Sequence, residues 1–336
     1  MRKVALLGIG RMGNLHLQNL KKLQEDGVAQ LVAVCDKEEE KLNNKNIPNT
    51  AQKFISLNEL LAYNEFEYVI NATNSSEHFL TSKMIIEQNK RVLIEKPVVV
   101  SDEQVEELKR LVSQKNIQLS TGYTEYYNSV SDALEKLIEE NSFNYMDVFR
   151  VGINEERNDK KDIDVIQDLL IHDLAVISKF IDFSKISEIS GNLSGFNAKS
   201  GFFDTACVFL RFKDNKFIRF IVDRKNIIKI RKTYIYSNEL FAVQDYMDQS
   251  IEVYKKGNLT AFGEKIWYSD SREYVKMRYV NNPLYDEIKD FLVSDSGITK
   301  TSNLWYPLTK LTELIRVTLL NMSNEDNRSR QILRDK

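Results

Sequence analysis

Along the first third of the chain, short unbroken apolar runs alternate with segments whose apolar residues return every three or four positions. The runs "KVALLGIG", "LVAVCD", "EYVINATN", "RVLIE" and "IQLSTGY" read as buried strands. Between them lie four helical segments: Met12 to Gln24, "SLNELLAY", Ser76 to Gln88 and Ser101 to Gln114. The third is opened by Ser75 or Ser76 as N-cap and the fourth by Ser101. Strands apolar on both faces, alternating with helices, predict a doubly wound parallel sheet in an α/β domain. From about Asn128 the pattern changes. A helix, Ser129 to Glu140, leads to the strand "YMDVFRVGI", and a second helix runs from about Asp164 to Phe183. Then come "ISEISGNLSGF", "DTACVFLRF", "FIRFIVDR", "KIRKTYIYS" and "LFAVQDY" with no helix between them, and "DNK" at 214–216 reads as a hairpin turn. Two helices, roughly Leu284 to Val293 and Leu308 to Met322, close the chain ahead of a polar tail expected to be partly disordered. The prediction is a dinucleotide-type domain over 1–121 and an α+β domain over 122–336 with a large, mainly antiparallel sheet. Val208, Leu210, Phe220 and Val222 are expected on the outward face of that sheet, where an exposed apolar patch predicts a homodimer or homotetramer.

The bulk numbers narrow the function. A length of 336 residues suits two domains, and 42% hydrophobic with 29% charged residues is ordinary globular composition. A net charge of −2 gives no reason to expect nucleic acid or an anionic membrane as partner. No apolar run approaches a membrane span, and the N-terminal "MRKVALLGIG" is too short and too glycine-bound for a signal peptide. Cys35 and Cys207 lie far apart in strand-like sequence without metal spacing, which predicts reduced core residues in a cytoplasmic protein. His16, His78 and His172 are the chain's three histidines, on distant elements, so no zinc site is expected.

"VALLGIGRMGNLH" places Gly8, Gly10 and Gly13 as G-x-G-x-x-G between the first strand and the first helix. The first glycine permits the turn, the second lets backbone approach a pyrophosphate, and the third lets helix pack on sheet. The free N–H groups of the helix start, around Arg11 and Met12, then face the phosphates. Asp36 closes the second strand, where its carboxylate can accept ribose hydroxyls and repel a 2′-phosphate. The cofactor prediction is therefore NAD, with NADP disfavoured. Ligands bind beyond the carboxyl ends of such strands, so Ala72, Thr73 and Asn74, with His78 behind them, and Glu95 with Lys96 join the cofactor side. Lys96 would stand near the nicotinamide, where a cation stabilises an alkoxide. The alternative is a structural Glu95–Lys96 pair.

"GIGRMGNLH", "NATNSSEHF", "EKP" and "GYTEYYN", in this order and spacing, resemble the Gfo/Idh/MocA oxidoreductase family. "IQDLLIHDLAVI" looks like its Asp-x-x-x-His helix. "VQDYMDQSIEVY" and "NNPLYDEIKDFL" resemble the subgroup containing UDP-N-acetylglucosamine 3-dehydrogenases. Leu170 departs from the glycine many members carry there. The resemblance implies an N-terminal Rossmann domain and a C-terminal α+β domain whose open sheet serves oligomerisation. It also implies NAD(P)-dependent oxidation of a sugar hydroxyl, with a nucleotide-activated amino sugar as the expected substrate. On that reading His172 takes the hydroxyl proton, Asp168 orients it or binds a neighbouring hydroxyl, and Asp173 points elsewhere. Tyr123, Tyr126 and Asn128 are expected at the substrate, with packing as the alternative for the tyrosines. His16 and His78 are expected as structural residues beside the cofactor. The basic stretch "RKNIIKIRK" at 224–232 reads as a solvated edge strand, or as a diphosphate contact through Lys225 or Arg231. Two rival functions stay open: a free-polyol dehydrogenase or keto-sugar reductase, and a dinucleotide-binding regulator without turnover.

Overall fold

The structure is a computed structural model that describes residues 1–152, 163–255, 259–262, 265–268, 274–294 and 298–334. It divides into two compact units: Met1–Tyr127 with Asn282–Glu313, and Asn128–Asn281 with Leu314–Lys336.

The first unit is built on β1 (Arg2–Leu7), α1 (Arg11–Glu25), β2 (Ala29–Cys35), β3 (Gln52–Phe54), α2 (Leu57–Tyr63), β4 (Tyr68–Asn71), α3 (His78–Glu87), β5 (Arg91–Glu95), α4 (Asp102–Lys115) and β6 (Leu119–Gly122). Among the described residues these strands form one parallel sheet in the order β3-β2-β1-β4-β5-β6. Val4, Ala5 and Leu6 are all buried, as an apolar run in a sheet covered on both faces requires. Ser56 and Ser101 cap α2 and α4 by accepting from the N–H groups of Glu59 and Gln104. The helix expected from Ser76 starts later. Ser75–Glu77 is a 3₁₀ turn entered from extended Asn74, and α3 begins at His78 without a side-chain cap.

The second unit contains α5 (Ser129–Glu140), β7 (Tyr145–Val151), α6 (Ile171–Ile177), β8 (Ile186–Asn197), β9 (Phe202–Phe212), β10 (Phe217–Asp223), β11 (Ile230–Tyr236), β12 (Leu240–Asp245), β13 (Ser250–Lys255), β14 (Leu259–Phe262), β15 (Lys265–Tyr268) and β16 (Tyr274–Arg278). Its large sheet has the order β16-β13-β12-β11-β7-β10-β9-β8, and β14 pairs with β15 separately. All pairs in the large sheet are antiparallel except β7 with β10. Asn215, at φ 66°, makes the turn expected at "DNK". The helix expected over Asp164 to Phe183 is shorter: a π-turn over Ile166–Leu170 runs into α6, which stops before Ser178.

Two helices follow, α7 (Pro283–Val293) and α8 (Trp305–Arg334). The boundary differs from the expected 121/122. The first unit runs to Tyr127, and α7 returns to it because Leu284, Ile288, Phe291 and Leu292 share one core with Val4, Leu6, Leu17 and Tyr68. Helix α8 extends through the expected polar tail, where Glu, Gln, Arg and Leu favour helix and neither Pro nor Gly interrupts it.

The outward face of the large sheet was misassigned. Val208, Leu210, Phe220 and Val222 are fully buried. A two-residue period identifies which positions share a face, not which face the helices cover. The opposite face carries a row of rings, Phe209–Phe217–Tyr145–Tyr236–Phe241–Tyr254–Tyr274, with successive centroids 4.2–5.7 Å apart. In-register neighbours make the row: Phe217 pairs with Tyr145, Tyr145 with Tyr236, and Tyr236 with Phe241.

Candidate functional site

At the end of β1 the backbone is packed as tightly as the glycine spacing requires. Gly8 has φ 87°, and a Cβ there would lie 2.6 Å from the carbonyl oxygen of Ala72. At Gly13 a Cβ would lie 2.0 Å from the Gly8 carbonyl, so α1 can approach β1 only through glycine. At Gly10 a Cβ would meet no protein atom within 4 Å. Gly10 also caps α1 without a side-chain bond, which leaves the first-turn N–H groups around exposed Arg11 and half-buried Met12 without an intrahelical partner. Asp36 braces this turn: Oδ2 accepts from the Ile9 N–H at 2.6 Å and Oδ1 from the Glu38 N–H at 2.9 Å, with Lys41 Nζ at 3.8 Å. A carboxylate has about four acceptor positions, so these bonds leave capacity for ribose hydroxyls. This geometry fits a dinucleotide.

Beside it, Asn71 organises the end of β4. Its Nδ2 donates to Thr81 and Ser82, and its Oδ1 accepts from the N–H and hydroxyl of Thr73. Buried His78 ties this loop to the next, with Nδ1 2.7 Å from the Pro97 carbonyl and Nε2 3.1 Å from the Thr73 carbonyl. Both partners are acceptors, so both bonds form together only when both ring nitrogens carry protons. Asn74 and Thr73 lie on the rim of the same loop.

At the end of β5, buried Glu95 bonds to His16, at 2.7 Å from Oε1 to Nε2. Burial opposes its charge, yet the His16 bond, helped by Lys96 and His78, holds the carboxyl below the usual range. Gly122 packs against the same carboxylate, since a Cβ there would stand 2.9 Å from Oε2. A second buried acid, Glu287 of α7, accepts from the Thr124 hydroxyl at 3.2 Å. Burial, and then the Glu95 charge, push it well above the carboxylate range. Glu95 and His78 thus brace the strand ends from inside, and half-buried Lys96 follows directly on Glu95. Tyr123 is a core residue, 1% exposed, with its hydroxyl against Thr309 and Thr121 and its phenol pushed up by burial. Packing, the stated alternative to a substrate contact, accounts for it. Tyr126 is half-buried and its ring meets that of Tyr127 edge-on.

In the second unit, Asn128 is likewise buried. Its side chain caps α5 by accepting from the Val130 N–H, and its Nδ2 donates to the Tyr246 carbonyl at 3.4 Å. Local capping thus explains it as well. Asp168 lies in the π-turn and His172 in α6, four residues on. His172 is half-buried, while Asp168 is buried with Oδ2 3.6 Å from Arg224 Nη1. Asp173 does point elsewhere: it accepts from Arg150 Nε and Nη2 at 2.9 and 2.8 Å, pinning α6 to β7. Lys225, a proposed diphosphate contact, stands 2.6 Å from Asp204 Oδ2. Arg231 faces Arg150 in the β11–β7 register. Among the described residues no group of three or more His, Cys, Asp or Glu side chains is placed to hold a metal.

Residues 2–123 match the family described as an oxidoreductase family with an NAD-binding Rossmann fold, GFO_IDH_MocA. The N-terminal domain is similar to the Gfo/Idh/MocA oxidoreductase family over these residues. The UDP-N-acetylglucosamine 3-dehydrogenase of Acidithiobacillus ferrooxidans is 23% identical over 292 residues, covering 86% of this chain and 87% of its own. A solved structure of that enzyme, GnnA, superposes with a TM-score of 0.76 at 19% identity, over 95% of this chain and 97% of its own. The WlbA dehydrogenase of Bordetella pertussis, solved with NADH and UDP-GlcNAcA, gives 0.74 at 15% identity, over 95% and 96%. At these identities the structures establish a shared fold along most of the chain.

The structure gathers Gly8 to Gly13, Asp36, Ala72 to Asn74, Glu95 and Lys96 at the strand ends of the Rossmann domain, and Asp168 with His172 in the second domain. Sequence reasoning missed Asn14, whose Nδ2 donates to the Gly10 carbonyl at 2.8 Å, and Asn44, which bonds to Asn14. An amide one turn past Gly10 was the available signal. It also missed Glu287 and Arg224, whose partners lie far away in the chain.

Proposed function

We propose that the protein is an NAD-dependent oxidoreductase that moves a hydride between a secondary hydroxyl of a sugar and nicotinamide, with a nucleotide-activated amino sugar as substrate. The observation that carries this reading is the strand-end arrangement of the first domain. A dinucleotide cradle fixed by Gly8, Gly13 and Asp36 lies beside a strand end where Glu95 and His16 seat a lysine. The extent of similarity to a UDP-N-acetylglucosamine 3-dehydrogenase supports the substrate class.

NAD, when bound, supplies the hydride acceptor. The open backbone at Gly10 and the start of α1 hold its phosphates, Asp36 its ribose, and Thr73 and Asn74 its rim. Lys96 stabilises the alkoxide that develops as the hydroxyl loses its proton. His172 takes that proton, and Asp168 sets its orientation. Absorbance of NADH in the presence of NAD and UDP-sugars, free sugars and inositols tests the reading. Reduction with a UDP-amino sugar is expected, reduction with inositol alone would move the substrate to free polyols, and no reduction with any would favour a regulator.

The outward ring row supports a homodimer or homotetramer built on the large sheet, since an apolar face of this extent is normally covered. Light scattering at micromolar concentration is expected to give a multiple of the chain mass, and a monomer would refute it. Among the described residues no helix is long and apolar enough to cross a membrane. The free thiols of Cys35 and Cys207 suit a cytoplasmic location.

A further inference from the structure

The covered face of the large sheet ends in a buried charge cluster. β10 turns Ile218, Phe220 and Val222 inward, and the same alternation carries Arg224 in behind them, 1% exposed. Its guanidinium is tightly engaged. Nε donates to Asp204 Oδ1 at 3.0 Å, Nη1 to the Ile163 carbonyl at 2.9 Å, and Nη2 to the Phe203 carbonyl at 3.0 Å. The Arg224 N–H also donates to the Asp204 carbonyl at 2.9 Å. A fork held at three points cannot swing, and it presents Nη1 to Asp168 Oδ2 at 3.6 Å.

A buried carboxylate stays ionised only beside a partner, and arginine is the cation that no accessible pH removes. We propose that Arg224 is a positioning residue for the acid–base helix: it keeps Asp168 ionised and fixed in the turn that leads into His172. The inference rests on the roles given above to Asp168 and His172.

The other charges facing this corner have their own partners. Asp204 Oδ2 meets Lys225, Asp173 is held by Arg150, and Asp164 accepts from the N–H groups of Ile166 and Gln167, with Arg316 at 3.8 Å. Burial opposes the charge of Asp204, but Lys225 and Arg224 hold its carboxyl low, whereas burial pushes Asp164 up. Asp168, 3.6 Å from the same guanidinium, is the carboxylate of this group that leads directly into the His172 helix.

The test follows the Asp168 carboxyl by carbon-13 NMR in the full-length protein saturated with NAD, with Asp168→Asn assigning the signal. Arg224→Met is expected to raise its titration midpoint by about one pH unit or more. Arg224→Lys, which keeps a charge without the fork, raises it by less and carries the test where Arg224→Met does not fold. A loss of packing alone would leave the midpoint in place, so an unchanged midpoint in a folded variant overturns the proposal. On the true substrate, Arg224→Lys should lower turnover but add no further loss in an Asp168→Asn background. Additive losses would overturn it too. The NMR measurement needs no sugar, so a failure to find any substrate would refute the functional reading and leave this result standing.

Discussion

Glu95 and Asp173 are both buried carboxylates, one in each domain, and they are neutralised differently. Glu95 meets the imidazole of His16, and Glu287 beside it is pushed well above the carboxylate range by burial and by the Glu95 charge. Asp173 meets the fork of Arg150, which is charged at every accessible pH, and Arg224 does the same for Asp204. The cofactor domain therefore sets a histidine and a second, raised acid beside its buried Glu95. The second domain uses fixed cations for Asp173 and Asp204. The expected consequence is a pH-dependent contribution to stability from Glu287 in the first domain and a pH-insensitive seat for the His172 helix in the second.

The largest expected effect tests the division of labour itself. His172→Ala should lower turnover about 10²- to 10⁴-fold while NAD affinity, measured by calorimetry, stays as it was. A folded, NAD-saturated variant at nearly full rate would place the base elsewhere. Next comes the fixed cation. Arg150→Met strands Asp173 and should cost about 3–5 kcal/mol in denaturant unfolding, by a similar amount on both sides of neutrality. A loss confined to one pH range would break the contrast. The proton-dependent side gives a smaller effect with a different shape. The folded value of Glu287 lies above its unfolded value of 4.5, so the native state binds more protons across that interval. Its stabilisation is full below the unfolded value and is lost as pH rises through the raised one. Glu287→Gln should flatten that decline, read as a melting temperature that falls less with pH, at about 2–4 °C per kcal/mol. Parallel melting curves for both proteins would show that Glu287 does not govern the decline. The smallest effect is expected at Asp36. Asp36→Ala should narrow the preference for NAD over NADP by roughly tenfold, about 1.4 kcal/mol, in paired binding titrations, and NADP binding tighter to the unmodified protein would contradict the assignment.

What could be read from the sequence depended on how far apart the interacting residues lie. β1, β2, β4, β5 and β6 announce themselves as unbroken, largely apolar runs, whereas β3, the short polar edge strand Gln52–Phe54, does not, and Gly8 and Gly13 are legible because their spacing alone meets two close approaches at one turn. Asp36 was legible because it ends a recognisable strand. Arg224 was not: in "RKNIIKIRK" it reads as one more solvated cation, and only the pairing of β10 with β9 turns it inward beside Asp204. Glu287 sits on an amphipathic helix where a charged residue implies solvent, and its neighbour Glu95 lies nearly two hundred positions earlier. The ring row was hidden by a different ambiguity, since alternation in β9 and β10 fits either face.

Helix α7 sets the order in which this protein can be finished as it leaves the ribosome. The Rossmann sheet is translated first, yet Leu284, Ile288, Phe291 and Leu292 fill the same core as Val4, Leu6 and Tyr68, with the Phe291 ring edge-on to Tyr68 at 5.4 Å. Domains commonly fold in the order of synthesis, but here the first strands must wait for a segment made after the entire second sheet. The earliest domain to emerge is thus the last to be sealed. A nascent chain halted before Asn282 would display the apolar side of β1 and β4 to whatever chaperone or neighbour is at hand.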